Sequence, residues 1–491
     1  MIGYLKRLVS SLAAYQVADA ISKLIAILLL PVYTRYIHRA GYGVVELLAT
    51  GVILISILVR LGIIEAFLRF YFTDSDPRRR DALARRAVGF LLATTTIVAA
   101  LLAAGAVPLS KLVLSRRDPA IFLVAVLGLW AFTNLELAYG LLRVEERLRA
   151  YATASLVNVG LTIAASLVLV VGVGLGPLGL LLGNYGASTL VLAGLWFSMR
   201  RRLIGGSRAA RRVGEGFSVL LRFGLPTLPA EASVYALSIV DRYYLYHHRS
   251  PGVAGLYSIA IKLAGSVAFI VRAFQYAWPP LAYSVTDDAQ AARLYGLVTT
   301  YYVLVSGWVV AGLTLLGHWV LRVLTHGDEF LGSYRALPWV ALGWAMYGLW
   351  VVFLVIAGRA GVTTRNFPAS LAGLVANVVL IVVLVPPLGI AGAGIALCGA
   401  YLVMLAVMYL LTRRVFRVGF EWRRLSQLVI VIGAAAVAGE LLLPAQGPFG
   451  LLTRAAVFLA IPLVLLGTRF AHRQELSQVL SLFSRARASL R

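Results

Sequence analysis

The chain has 491 residues, of which 60% are hydrophobic and only 13% charged, and its mean hydropathy is +0.87. Soluble domains carry about 25% charged residues, so a water-soluble enzyme and a disordered basic tail are both excluded. Lys and Arg number 45 against 20 Asp and Glu, a net charge of +25; the bases sit between long apolar runs, which points to a membrane and not to nucleic acid. One cysteine, Cys398, excludes a disulfide framework and a Cys-rich metal or redox centre.

A membrane-crossing helix needs about 20 mostly apolar residues. Such runs occur near 11–36, 43–72, 87–109, 119–142, 151–173, 178–199, 218–246 and 252–280, then near 294–322, 339–358, 369–387, 390–412, 427–443 and 450–467. The expectation is therefore an all-α polytopic protein of about 14 spans, with tight hairpins at Gly174–Gly179 and Pro386–Gly389. If the N-terminus is inside, the inner segments carry 29 Lys and Arg, the outer loops 7, and the spans the remaining 9. The positive-inside rule then puts both ends in the cytoplasm, in a cytoplasmic membrane. Span 1 reads as an uncleaved anchor. The short outer loops speak against an enzyme with an extracytoplasmic domain, and no P-loop points to ATP hydrolysis.

Two loops resemble one another. Span 1 exits through Tyr36 to Gly43 and leads into span 2 with Glu46 and Arg60; span 7 exits through Tyr246 to Gly255 and leads into span 8 with Lys262 and Arg272. Setting Gly43 on Gly255 sets Arg60 on Arg272, an offset of 212 in both cases. This predicts two parallel six-helix lobes, 1–212 and 213–426, followed by an extra helix pair at 427–467 and a cytoplasmic tail at 468–491.

Several of these segments resemble the polysaccharide-biosynthesis flippases, the O-antigen type of the multidrug/oligosaccharidyl-lipid/polysaccharide exporter superfamily. They are Leu30-Pro31-Val32-Tyr33-Thr34-Arg35-Tyr36 through Gly43, Leu61 to Phe72, Asp241-Arg242-Tyr243-Tyr244-Leu245, Val253 to Ala260 and Phe274 to Pro280. The resemblance implies a transporter of a polyprenyl-diphosphate-linked oligosaccharide, with no covalent chemistry and no cofactor, working among membrane lipids. It also implies that two halves rock and that span 1 bends during alternating access. Fourteen spans are also found in the peptidoglycan-precursor flippases of the superfamily, where the last pair provides a groove for the lipid tail.

Ionisable groups inside a membrane normally face a cavity or a partner. Here they concentrate in spans 1, 2, 7 and 8. Arg35, Arg69, Arg222, Arg242 and Arg454 lie near span ends, where they can snorkel. Asp19 with Lys23, and Glu65 with Arg69, are spaced for intrahelical pairs. The pair Asp241-Arg242 is expected to tie a helix end to a neighbour. Lys23, Arg60, Lys262 and Arg272 remain as candidates to bind the diphosphate, since arginine matches phosphate oxygens bidentately and lysine offers a point charge. Glu46 and Arg60 fall within about 40° of one helix face but about 21 Å apart along the axis, too far to pair directly. Asp19, Glu46 and Glu136 are the acidic or coupling candidates, for H⁺ or Na⁺; the alternative is that they form helix–helix ion pairs with the cations. Pro31 in span 1 and Pro226 with Pro229 in span 7 break helices at equivalent places and are the candidate gates. Two rival functions stay open at this point: a cation-coupled multidrug exporter of the same superfamily, which would favour an acidic cavity, and a peptidoglycan-precursor flippase. A single copy is expected to suffice.

Overall fold

A lipid interior offers no water to backbone amides, so apolar runs satisfy their own hydrogen bonds as helices. The computed structural model describes Ile25, residues 27–71, 76–204 and 217–468, and Phe470, and every regular element among them is helical. In chain order these are α1 (Leu30–Tyr36), α2 (Arg39–Arg60), α3 (Ile63–Tyr71), α4 (Pro77–Ala104), α5 (Ala106–Leu114) and α6 (Pro119–Val144). They continue as α7 (Leu148–Leu167), α8 (Gly176–Ile204), α9 (Phe217–Gly224), α10 (Leu228–His248), α11 (Pro251–Ser284) and α12 (Asp288–Leu324). The last five are α13 (Leu337–Arg359), α14 (Asn366–Leu388), α15 (Ile390–Thr412), α16 (Trp422–Leu442) and α17 (Gly447–Gly467).

Twelve helices among the described residues are long and apolar enough to cross a membrane, so this is a multi-pass membrane protein. They correspond one for one with twelve of the expected fourteen spans. Most of span 1 lies outside the described residues. Span 7 is split into α9, a 3-10 turn at Leu225–Thr227, and α10. The expected hairpins are present: Gly174, Gly176 and Gly389 have φ of 77°, 52° and 59°, a conformation open to glycine at no steric cost.

Span 2 departs from the expectation of one continuous helix over 43–72. It breaks at Leu61 and Gly62, both left-handed, with φ of 49° and 68°. An apolar run conceals such a break, because hydropathy is indifferent to backbone conformation.

The chain divides into two compact units. The first takes the described residues up to Ile259 with Leu324–Gly332 and Ser370–Ala396; the second takes Ala260–Val323, Ser333–Ala369 and the described residues from Leu397 onward. In the first, Ile63, Phe67, Leu91, Leu135, Leu192 and Leu220 form a core among α3, α4, α6, α8 and α9. In the second, Trp278, Tyr295, Val352 and Ile356 form one core, and Leu428, Ile432 and Ile461 another. The extra pair α16 and α17 leaves Val429, Ile430, Leu441 and Leu452 exposed, as lipid-facing helices do.

The repeated glycines have a structural reason. A Cβ on Gly43 would lie 2.0 Å from the Pro251 carbonyl oxygen, and one on Gly255 would lie 1.9 Å from that of Arg39. Thus the first turns of α2 and α11 meet backbone to backbone, a contact that only glycine permits on either side.

Candidate functional site

The break in span 2 builds a site in the first unit. Arg60 is the last residue of α2, and Glu65 stands in the first turn of α3 just beyond the break. Across from it, the broken span 7 restarts as α10 with Glu231 in its first turn. The two breaks touch: a Cβ on Gly62 would lie 2.3 Å from the Gly224 carbonyl oxygen, and one on Gly224 2.6 Å from that of Gly62. Helix N-termini favour carboxylates and C-termini favour cations, so interrupting two helices at one level gathers Glu65, Glu231 and Arg60 there.

Glu136 of α6 completes the cluster. Arg60 Nη1 donates to Glu136 Oε2 at 2.9 Å, Nη2 donates to Glu231 Oε1, and Nη2 lies 3.6 Å from Glu65 Oε1. The guanidinium keeps only 10% of its side-chain surface exposed, while Glu65, Glu136 and Glu231 keep 35%, 38% and 37%. The arginine is therefore the covered back of the site, and the carboxylates are its accessible face. Three carboxylates around one guanidinium repel one another in this partly desolvated place, and Arg143 adds one further positive charge that acts on Glu136; a proton or a cation relieves the repulsion that is left. Chemically, the site is equipped to take up and release positive charge.

The other expected residues are distributed as follows. Asp19 and Lys23 lie outside the described residues. Pro31 stands in the first turn of α1, where Leu29 N bonds Ile25 O and Tyr33 N bonds Leu29 O, so the turns continue across the interruption. Pro226 lies in the 3-10 turn and Pro229 in the first turn of α10, at the expected break. Lys262 is half-buried and Arg272 exposed, both on the part of α11 that belongs to the second unit.

Glu46 does not pair with Arg60, as its axial distance required; it lies 3.8 Å from Arg242 Nη2. Arg242 also donates to the Ser238 carbonyl, and Asp241 accepts from the Tyr257 hydroxyl at 2.7 Å. The pair Asp241-Arg242 thus ties α10 to α11 and α2.

Of the two expectations for Arg60, the geometry matches the helix–helix ion pair, since carboxylates, Glu136 among them, hold its guanidinium. Two other expectations need correction. Glu65 reaches back to Arg60 across the break, while Arg69 lies over the Phe223 ring at 4.7 Å. Arg242 and Arg454 are buried and paired, where snorkelling was expected. Glu231 joins the site beyond the residues expected from the sequence, although an acid two residues after Pro229 in an interrupted helix is a signal for an N-terminal position.

A family model described as polysaccharide biosynthesis protein matches residues 8–281, more than half of the chain. Among solved structures the chain is similar to the lipid II flippase MurJ in its inward closed conformation, at 13% identity, 91% coverage of this chain and 96% of that one, with a TM-score of 0.72. It is also similar to an inward-facing multidrug resistance MATE family transporter of the MOP superfamily, at 16% identity, 84% and 95% coverage and a TM-score of 0.63. The bent form of the Vibrio cholerae MATE transporter VcmN gives 13% identity, 84% and 97% coverage and a TM-score of 0.56. At these identities the likeness is one of fold, and it is shared with transporters and flippases. No curated protein matches the chain.

Proposed function

The chain belongs to the polysaccharide biosynthesis protein family, and from that premise we propose that it is a flippase of polyprenyl-diphosphate-linked oligosaccharides. It moves the glycan headgroup from the inner to the outer leaflet of the cytoplasmic membrane while the lipid tail stays in the bilayer. Both termini are cytoplasmic, and one copy suffices. The family match is the observation that carries this reading; a fold shared with a lipid II flippase supports it.

Lys23, Lys262 and Arg272 remain the residues assigned to the diphosphate. Arg60 takes a different role. Its carboxylate shell is the coupling element: protonating Glu65, Glu136 or Glu231 weakens their hold on the guanidinium, and deprotonation restores it. The grip joins both broken spans, so loss of charge at the cluster frees the hinges at Gly62 and Leu225–Thr227 to move together. Alternating access then follows from a proton arriving on one side and leaving on the other.

The same carboxylate excess favours a second reading, an exporter of cationic drugs, whose substrate would replace the missing positive charge. Proteoliposomes holding the purified chain and a defined lipid-linked oligosaccharide separate the two. Flipping that responds to a pH gradient is the expected result; no movement under any proton or sodium gradient, with efflux of a cationic dye in its place, overturns the flippase reading.

A further inference from the structure

The second unit holds a cavity of about 430 Å³ where the end of α15 and the segment leading to α16 close over α13. Arg413, Arg414 and Arg417 line it together with Phe353, Tyr409 and Phe420. Its volume is in the range of small-molecule sites.

The segment that forms the rim is held in place. Val415 N and Phe416 N both bond the Thr412 carbonyl, and Arg365 donates to the Leu411 carbonyl. Gly296 of α12 lets the chain sit close, since a Cβ there would lie 2.1 Å from the Gly419 carbonyl oxygen. Phe420 packs on Phe353 and Tyr409, with ring centroids 6.0 and 6.2 Å apart, so the aromatic wall is fixed too.

The charge of this cavity is uncompensated among the described residues. Glu421 is the one acid between 413 and 424, and Arg424 holds both its oxygens, at 3.0 and 3.1 Å. Some arginines of the other inner segments have acid partners, as Arg79 has Asp76, Arg147 has Glu145 and Arg359 has Asp288, and others, such as Arg200 and Arg365, donate to backbone carbonyls; three arginines lining one cavity are distinct from both. Positive-inside topology explains three basic residues at this boundary, but it does not require a rigid aromatic pocket beside them. Guanidinium groups match phosphate oxygens in bidentate geometry, and an aromatic wall accepts the apolar stem attached to a headgroup.

We propose that this pocket is a docking site at the cytoplasmic boundary for the phosphate-bearing headgroup of a lipid. The proposal rests on the reading of the chain as a membrane transporter with this segment inside. Its chemistry is shared by two sources, a polyprenyl diphosphate carrier and an acidic phospholipid of the inner leaflet.

The test uses the full chain in neutral-lipid nanodiscs and three probes: geranyl diphosphate, inorganic pyrophosphate, and nanodiscs containing phosphatidylglycerol. Binding is followed by calorimetry and by the fluorescence of Trp422, whose ring lies 6.1 Å from that of Tyr409. The triple variant Arg413→Gln, Arg414→Gln, Arg417→Gln is expected to weaken geranyl diphosphate binding at least tenfold. The corresponding triple Arg→Lys variant restores part of it, which separates lost charge from lost structure. Geranyl diphosphate binding that survives phosphatidylglycerol identifies the carrier as the source, whereas equal competition identifies the bulk lipid. If the Gln variant folds and binds geranyl diphosphate as tightly as the parent, the proposal is overturned; if the Gln variant does not fold, the Lys variant decides, and undiminished binding at raised salt overturns it in the same way. Should the parent bind the probe here yet flip no lipid-linked oligosaccharide, the transport reading fails and the site stands.

Discussion

Two buried arginines, Arg60 and Arg454, are served in opposite ways by the structure. Arg454 is 2% exposed, and each of its three nitrogens has an acceptor. It meets Glu440 at 2.5 Å and donates to the carbonyls of Pro444, Leu443 and Leu315. One carboxylate balances one guanidinium, so it ties the α16–α17 hairpin to α12 with no charge left over. Arg60 has three carboxylates for one guanidinium, and its Nε has no partner among the described residues. Burial of a charge therefore does not identify a working site. The balance of its partners does: a matched set is a fastening, and a mismatched set has to exchange charge with something.

The sharpest way to break this comparison is to remove each arginine in turn. Arg454→Ala leaves Glu440 and three carbonyls without their donor, and losing one partner of a buried pair costs roughly 3 kcal/mol. The expected outcome is a clear drop in the thermal unfolding midpoint of the detergent-solubilised protein. Arg60→Ala leaves carboxylates that are more than a third exposed and can take protons, so its unfolding midpoint should fall much less, while flipping in proteoliposomes should fall at least tenfold. Equal loss of stability in the two variants would erase the distinction between fastening and exchange site.

A smaller effect is expected where α2 meets α11. Gly43→Ala or Gly255→Ala places a methyl group about 2 Å from a carbonyl oxygen, and forcing such an overpacked contact apart costs about 1–3 kcal/mol. A midpoint lowered in both single variants, with no further loss when they are combined, would mark one shared contact. Unchanged midpoints would mean that the two turns separate freely.

Those glycines also show what a sequence carries and what it does not. Their offset of 212, shared with Arg60 and Arg272, is visible because a backbone contact constrains residue type at both ends. The helices, the hairpins at Gly174 and Gly389 and the break at Pro226 are visible for a similar reason, since hydropathy and proline act locally. The break at Leu61-Gly62 is hidden because nothing apolar ends there. The three-glutamate shell is hidden because its members lie on three different spans, at 65, 136 and 231, and each alone has an acceptable local reading. The fastening of Arg454 is hidden in a related way: the Leu315 carbonyl comes from a distant helix, and Glu440, Leu443 and Pro444 reach it only once the α16–α17 hairpin has formed.

The finest test acts within the shell itself. Glu231→Gln keeps the shape and one acceptor oxygen of the side chain but removes a charge that Arg60 does not need for balance. If the cluster is a fastening like that at Arg454, this change weakens a needed partner and lowers stability and flipping together. If the cluster exchanges protons, the variant mimics the protonated state of one carboxylate permanently. Its unfolding midpoint should then stay within about a degree or two of the parent, because one carboxylate still balances the guanidinium and surplus repulsion is relieved. Flipping should fall severalfold and, above all, depend less on pH than in the parent, since one of the groups that titrates during the cycle is gone. Glu65→Gln, at the longer 3.6 Å contact, should do the same more weakly. A parent protein whose flipping is flat between pH 5 and pH 9, or a Glu231→Gln variant with an undiminished pH response, would place Arg60 with Arg454 among the fastenings and leave the coupling to groups elsewhere.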